Sequence, residues 1–248
     1  MVWLHDGDPF PEPDPEETGP GGLVAIGGSL SAERLLDAYR KGAFPWYNEG
    51  EPVLWYSLAE RMVLEPHQLR LDRSVRRNLR RASGLLIRTD TAFERVIRAC
   101  ASIPRPGQRG TWITREMIEA YSELHRLGYA HSVEAWDGAE LAGGLYGVCL
   151  GKAFFGESMF RKRTGASLAA LVTLVRWLAA REFLLFDCQT YADHTARLGA
   201  RLWPRRRFLA LLARALEYET KPGPWRLQSV VDQNWTLGTS LDSSGTSK

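Results

Sequence analysis

The sequence predicts an α+β fold, a small N-terminal lobe followed by a larger domain on a mixed β-sheet. Three observations carry this. Between residues 114 and 218 a helical period gives way to three extended segments joined by tight turns, then to an apolar helix, a strand and an amphipathic helix. The 248 residues are 44% hydrophobic, enough to fill one large core or two small ones. Before residue 63 a Pro/Gly-rich start runs into an aromatic, turn-rich stretch, which separates a lobe of residues 1–62 from a domain of residues 63–228. The final segment, 229–248, is rich in Ser, Thr and Gly and reads as a disordered tail.

In chain order, Leu23–Ile26 is a short apolar run. Ser31 can cap a helix that reaches Arg40, with Glu33 in its first turn and Gly42 just past its end. "FPWYNEGEPVLWYS" looks too aromatic and turn-rich for a regular element. A basic helix follows over Ser74–Arg81, with Val75 and Leu79 one turn apart, then a strand at Leu85–Thr89. A helix over Thr91–Ala101 puts Phe93, Val96, Ile97 and Cys100 on one face. "RPGQRG" is a loop, and Gly128 should stop the helix Thr114–Leu127. Strands Ala130–Trp136 and Glu140–Leu150 flank an Asp137-Gly138 turn, and Ala153–Phe160 follows the turn at Gly151-Lys152. The apolar helix Ser167–Arg181, the strand Phe183–Cys188 and the helix Arg206–Tyr218 complete the order.

Net charge is only +3, but the arginines are clustered. "RLDRSVRRNLRR" at 70–81, "RKR" at 161–163 and "RLWPRRR" at 201–207 can form an anion-binding surface or simply solvated helix faces; with nine tryptophans they lean towards RNA. Three scattered cysteines give neither a disulfide framework nor a metal knuckle, and the five histidines lack ligand spacing, so no metal is expected. No apolar run is long enough to cross a membrane, and the acidic, Pro-rich start is unlike a secretory signal; a cytoplasmic setting is expected.

"LLFDCQTYADH" at 184–194 carries the most chemistry. Strand alternation would point Asp187 and Gln189 together and Cys188 into the core. A carboxylate beside an amide at a strand end suits a cleft, and equally a buried Asp capping a turn. Glu157, within "AFFGESMF", sits among Phe154, Phe155, Met159 and Phe160 and needs a partner or loses its charge. It is either a ligand site or a structural Glu paired with the nearby "RKR". Cys188 with His194 would be a thiol–imidazole pair, but a buried cysteine acting as a small hydrophobe fits better. GxSxG, GxxxxGK[ST] and GxGxxG motifs are absent.

The blocks "GLVAIGGSLSAERLLDAYRKGAFPWY", "GEPVLWYS", "GTWITREMIEAYSELHRLGYAHSVEAW", "LAGGLYGV", "FFGESMF" and "DCQTYADHTARLGA", with the following "PRRRF", resemble the leucyl/phenylalanyl-tRNA–protein transferase family from about Gly22 to Leu212. The resemblance implies a GNAT-like acyltransferase domain that moves Leu, Phe or Met from aminoacyl-tRNA to the N-terminal Arg or Lys of a protein, marking it for degradation. No cofactor is implied, since the ester is already activated. Asp187 and Gln189 match the family's catalytic pair, and Glu157 a carboxylate in the substrate cleft. Tyr39, Trp46 and Trp112 match aromatics that hold the terminal adenosine. Leu145, Phe154, Met159, Leu171, Leu174 and Phe186 match the wall of the aminoacyl pocket. Arg76, Arg77 and Arg80, on the basic helix, would meet tRNA phosphates.

The chain departs from the family pattern at Ser29 (usually Asp), at Leu58–Glu60, where "WYSLAER" replaces "WWSPDPR" but keeps Trp55 and Arg61, and at Leu168 (usually Lys). These bear on lobe packing, donor fit and amino-acid preference. Two other readings remain, an acyl-CoA-dependent GNAT acyltransferase and a non-catalytic tRNA-binding module. A monomer is expected, with no membrane partner.

Overall fold

The computed structural model describes residues 1–16, 20–103 and 111–231; the "RPGQRG" loop and the tail beyond residue 231 lie outside the described residues. A four-stranded sheet holds β1 (Val2–Leu4), β2 (Leu23–Gly27), β3 (Phe44–Pro45) and β4 (Leu54–Tyr56) in the order β1-β2-β4-β3. Against it packs α1 (Ala32–Arg40), whose Ser31 cap accepts the Arg34 N–H as expected. The stretch expected to be irregular thus contains two strands. Elements of two and three residues have no period to read; β3 pairs only with β4, and β4 in turn joins β2 from earlier in the chain. Pro45 is tolerated because β3 is an edge.

The second sheet has eight strands: β5 (Glu60–Leu64), β6 (Leu86–Thr89), β7 (Ala130–Asp137), β8 (Glu140–Leu150), β9 (Ala153–Arg161), β10 (Leu185–Gln189), β11 (Arg201–Pro204) and β12 (Gln228–Val230). Their order is β11-β5-β10-β9-β8-β7-β6-β12. Among the described residues of this sheet only β9 and β10 pair in parallel, joined by the crossover helix α5 (Ala166–Ala179), so the sheet is mixed. The other helices are α2 (Arg73–Arg80), α3 (Phe93–Ser102), α4 (Arg115–Arg126), α6 (Asp193–Arg197) and α7 (Arg205–Leu216). α4 begins at its Thr114 cap, and α2 at Asp72, whose carboxylate accepts the Val75 N–H.

The sheet is covered on both faces. Alternation along β8 sends Leu145 and Cys149 to the face under α2 and α5, and Tyr146, Val148 and Leu150 to the face under α3, α4 and α7. α5 is apolar all round because sheet and α2 bury both its sides. Sequence periodicity missed β1, β5, β11 and β12, all short, and the single-turn α6. The expected boundary at residue 62 falls inside β5, and the one at residue 228 inside β12, which hydrogen-bonds to β6; Ser229 and Val231 are buried parts of the fold.

Candidate active site

Parallel pairing of β9 with β10 stops at Phe155 opposite Asp187, although β9 continues to Arg161. A cavity of about 530 Å³ lies where the strands part. Two β-bulges shape its floor. Between β8 and β9 the register passes from Gly147↔Gly156 to Tyr146↔Ser158, leaving Glu157 as the extra residue. Between β10 and β5 it passes from Asp187↔Val63 to Gln189↔Met62, leaving Cys188 as the extra residue. Bulges re-aim side chains that regular alternation would fix. Gln189 also adopts φ 60°, a left-handed conformation that a non-glycine residue holds only when its surroundings impose it.

Glu157 is buried and held from three directions. Its Oε1 accepts from the Tyr39 hydroxyl at 2.6 Å and from Gln189 Nε2 at 2.7 Å; its Oε2 accepts from the Tyr121 hydroxyl at 3.2 Å. The two phenol oxygens are 2.5 Å apart. Burial raises the carboxyl to about 7, against the lowering effect of the tyrosine hydrogen bonds. Burial also lifts both phenols well above their ordinary value, keeping them protonated donors. The expected alternative of a Glu157–"RKR" ion pair is not what forms, because α1, α4 and β10 supply neutral donors instead.

Asp187 faces the opposite requirement. It is fully buried and takes two parallel hydrogen bonds from Arg61, from Nη2 to Oδ2 at 2.7 Å and from Nε to Oδ1 at 2.9 Å. The guanidinium lies between the rings of Phe44 and Phe208, 4.6 and 4.7 Å from their centroids. Oδ1 also accepts the Gln189 backbone N–H at 2.8 Å. Asp187 therefore clamps the backbone that carries Gln189, and does not line the cavity. Cys188 does line it, contrary to strict alternation, because of the bulge. Burial, then the Asp187 charge, pushes its thiol up, so it stays protonated; burial lowers the rim imidazole of His194. That is no nucleophile–base pair.

Leu145, Met159, Leu171 and Phe186 form the apolar wall, while Phe154 and Leu174 are wholly buried behind it, Phe154 with its ring against Phe186. Trp46, 39% exposed, and Trp112 stand at the cavity and can offer ring faces. Tyr39 cannot stack on a base, since its ring is fully buried; its hydroxyl serves Glu157. Arg76, Arg77 and Arg80 are exposed on α2. Ser29, Leu58–Glu60 and Leu168 stay clear of the cavity lining. Sequence reasoning missed the roles of Arg61 and Tyr121. The retention of Arg61 in "WYSLAER" was a signal; Tyr121 gave none, because it shares the apolar face of α4 with Met117 and Leu124.

Residues 63–213 match the family model of leucyl/phenylalanyl-tRNA protein transferase, and residues 28–58 that of the N-terminal domain of the same transferase. A leucyl/phenylalanyl-tRNA–protein transferase of Myxococcus xanthus (strain DK1622) is 53% identical over 92% of this chain and 97% of its own length. Proteins of the same name from Anaeromyxobacter dehalogenans (strain 2CP-C) and Xanthomonas euvesicatoria pv. vesicatoria (strain 85-10) are 55% and 51% identical, each over 88% of this chain and over 93% and 86% of their own.

Proposed function

The chain belongs to the leucyl/phenylalanyl-tRNA protein transferase family, and we propose that it moves Leu, Phe or Met from aminoacyl-tRNA to the N-terminal Arg or Lys of acceptor proteins, marking them for degradation. The reaction is aminolysis of an ester by an α-amine, carried out by a cytoplasmic monomer on a GNAT-like domain whose parted parallel strands form the cleft. The observation that carries this reading is Gln189 bonded to Glu157 beside an apolar wall, with two tryptophans at the same cavity.

An α-amine has a reference pKa of about 7.7–8.0, so a useful fraction is already a neutral nucleophile near neutral pH. The Gln189 amide nitrogen is occupied by Glu157, so its oxygen is the atom that would accept from and orient an incoming amine. Asp187 contributes by fixing the Gln189 backbone. Positioning of two substrates and stabilisation of the tetrahedral oxyanion supply most of the acceleration. Leu145, Met159, Leu171 and Phe186 would receive the aminoacyl side chain, and Glu157 would add negative potential for a cationic acceptor. A methylene in such a slot is worth only ~1–3 kcal/mol, so Leu and Phe separate from polar residues better than from Met.

The acyl-CoA alternative has less support. The turn before α5, where a pyrophosphate would bind, is covered by α2; a Cβ on Gly165 would lie 2.7 Å from the Asn78 carbonyl oxygen. The test is transfer of radiolabelled Leu from Leu-tRNA to a peptide beginning with Arg, beside one beginning with Ala, in wild type, Asp187→Ala and Gln189→Ala. Arg-dependent transfer that collapses in both variants supports the reading; intact wild type that binds tRNA but transfers nothing would move the non-catalytic module to first place. Trp46→Ala and Trp112→Ala should raise donor KM roughly tenfold or more, since base stacking is worth ~1–3 kcal/mol.

A further inference from the structure

We propose that Glu157 is the proton carrier of the transfer, taking a proton from the attacking α-amine and handing it to the departing ribose oxygen, with Tyr39 and Tyr121 as positioning residues that hold its carboxylate. The inference rests on the cavity being the aminolysis site, and it follows from which groups there can accept a proton.

The amine nitrogen bonds to the ester carbonyl carbon, whose π electrons move to oxygen. The nitrogen must then lose one proton, and the ribose oxygen must gain one when the carbon–oxygen bond breaks. Gln189 orients the amine, but a neutral amide does not take its proton. Asp187 is wholly buried; Oδ1 is used by Arg61 Nε and the Gln189 N–H, and Oδ2 by Arg61 Nη2. Cys188 is a protonated thiol, and the Tyr39 and Tyr121 hydroxyls are committed to the carboxylate. Glu157 is the carboxylate that lines the cavity. Its Oε1 carries two short bonds, whereas Oε2 carries only the 3.2 Å bond from Tyr121, leaving it a lone pair for the amine proton.

The groups facing Glu157 set its charge from every side. Tyr39 on α1, Tyr121 on α4 and Gln189 on β10 donate to the ionised form. Asp187 on β10 opposes ionisation and Arg61 on β5 favours it; as a bonded pair they largely offset each other. Tyr146 on β8 touches Tyr121 edge-on, and His194 on α6 lies on the cavity lining. Burial raises the carboxyl to about 7, which matches it to both halves of the exchange.

The test is single-turnover transfer from Leu-tRNA to a saturating peptide beginning with Arg, between pH 5.5 and 9, corrected for spontaneous ester hydrolysis. Wild type, Glu157→Gln, Tyr121→Phe and Tyr39→Phe are compared after matching melting temperatures. Wild type should lose rate towards acid with two ionisations, those of the amine and Glu157. Glu157→Gln should keep only the amine's and lower the plateau by roughly 10²–10⁴-fold. Each Tyr→Phe variant removes a donor to the carboxylate, so its acidic limb should move to higher pH by about half a unit or more. A merely structural tyrosine would lower the rate without moving the limb. The proposal is overturned by a Glu157→Gln plateau within about twofold of wild type, or by Tyr→Phe profiles that superimpose on wild type. Failure of the wild type to transfer at all would overturn the transferase reading as well, which separates the two cases.

Discussion

Glu157 holds a charge that its surroundings resist. Its folded-state carboxyl, about 7, lies above the ordinary 4.5 because burial outweighs its hydrogen bonds. Between those values the folded protein binds the extra proton, so this group's contribution to stability is present below about pH 4.5 and is lost as pH rises through 7. Glu157→Gln should therefore raise stability at pH 8 by about 1–3 kcal/mol while having little effect at pH 5; urea melts at the two pH values measure it. An unchanged difference between them would mean that the carboxyl is not shifted in the fold. Arg61 and Asp187 form a different kind of buried pair, whose value depends on both members. Removing either charge alone should cost about 3–5 kcal/mol, whereas Arg61→Met with Asp187→Leu should recover most of that in thermal melts. The double variant would still lack the acceptor for the Gln189 N–H, so regained stability without regained transfer would separate the clamp from the fold.

At the scale of elements, the two bulges decide which side chains meet. Gly147 sits where β8 crosses the Glu157 bulge, and a Cβ there would lie 2.1 Å from the Phe155 carbonyl oxygen. Gly147→Ala should lower stability by about 1–3 kcal/mol or more through forced backbone displacement, and reduce transfer further by moving Glu157; calorimetry beside activity checks both. The other element with a separable role is α2. Its Val75 and Leu79 are buried, while Arg76, Arg77 and Arg80 face solvent. Reversing the three to Glu should leave the melting temperature nearly unchanged, weaken donor tRNA binding, and flatten the salt dependence of log K by about 2–3. An unaltered salt slope would remove α2 from the tRNA surface.

Across the whole molecule, the C-terminal segment closes the structure over the far side of the pocket. The indole of Trp225 stacks on His131 at 3.8 Å and lies 5.7 Å from Phe154, which backs the apolar wall through Phe186. The Trp225 backbone N–H reaches Asp90 Oδ2 at 2.6 Å, the oxygen that also meets the His131 ring, and Leu227 N–H bonds the Thr89 hydroxyl that itself donates to the Trp225 carbonyl. Ending the chain before Trp225 should strip this strap and β12 together, exposing Ile87 and Phe154; a fall of several degrees in Tm is expected, with looser discrimination among aminoacyl donors. Retained Tm after that truncation would mean that the strap contributes nothing to the core.

The long elements were legible because each carries its own period. α1, α4, α5 and the β7–β8–β9 meander are marked by caps, turn glycines and alternating or apolar runs that local chemistry alone requires. The candidate site was legible in identity, since Asp187, Gln189 and Glu157 stand out as polar groups at the ends of apolar strands. Their arrangement was not. Strict alternation would have paired Asp187 with Gln189 in one cleft; two extra residues in two registers instead put Asp187 on Arg61, Gln189 on Glu157 and Cys188 at the cavity. Tyr39 looked like a surface for a base, and neither Tyr121 nor Arg61 had an assigned role, because their partners lie 118, 36 and 126 residues away. The sequence by itself determined the elements and the chemistry available, through local propensity and hydrophobic period. The tertiary structure alone decided which carboxylate is neutralised and which lines the cavity, because desolvation and hydrogen-bond partners exist only once distant segments have packed together.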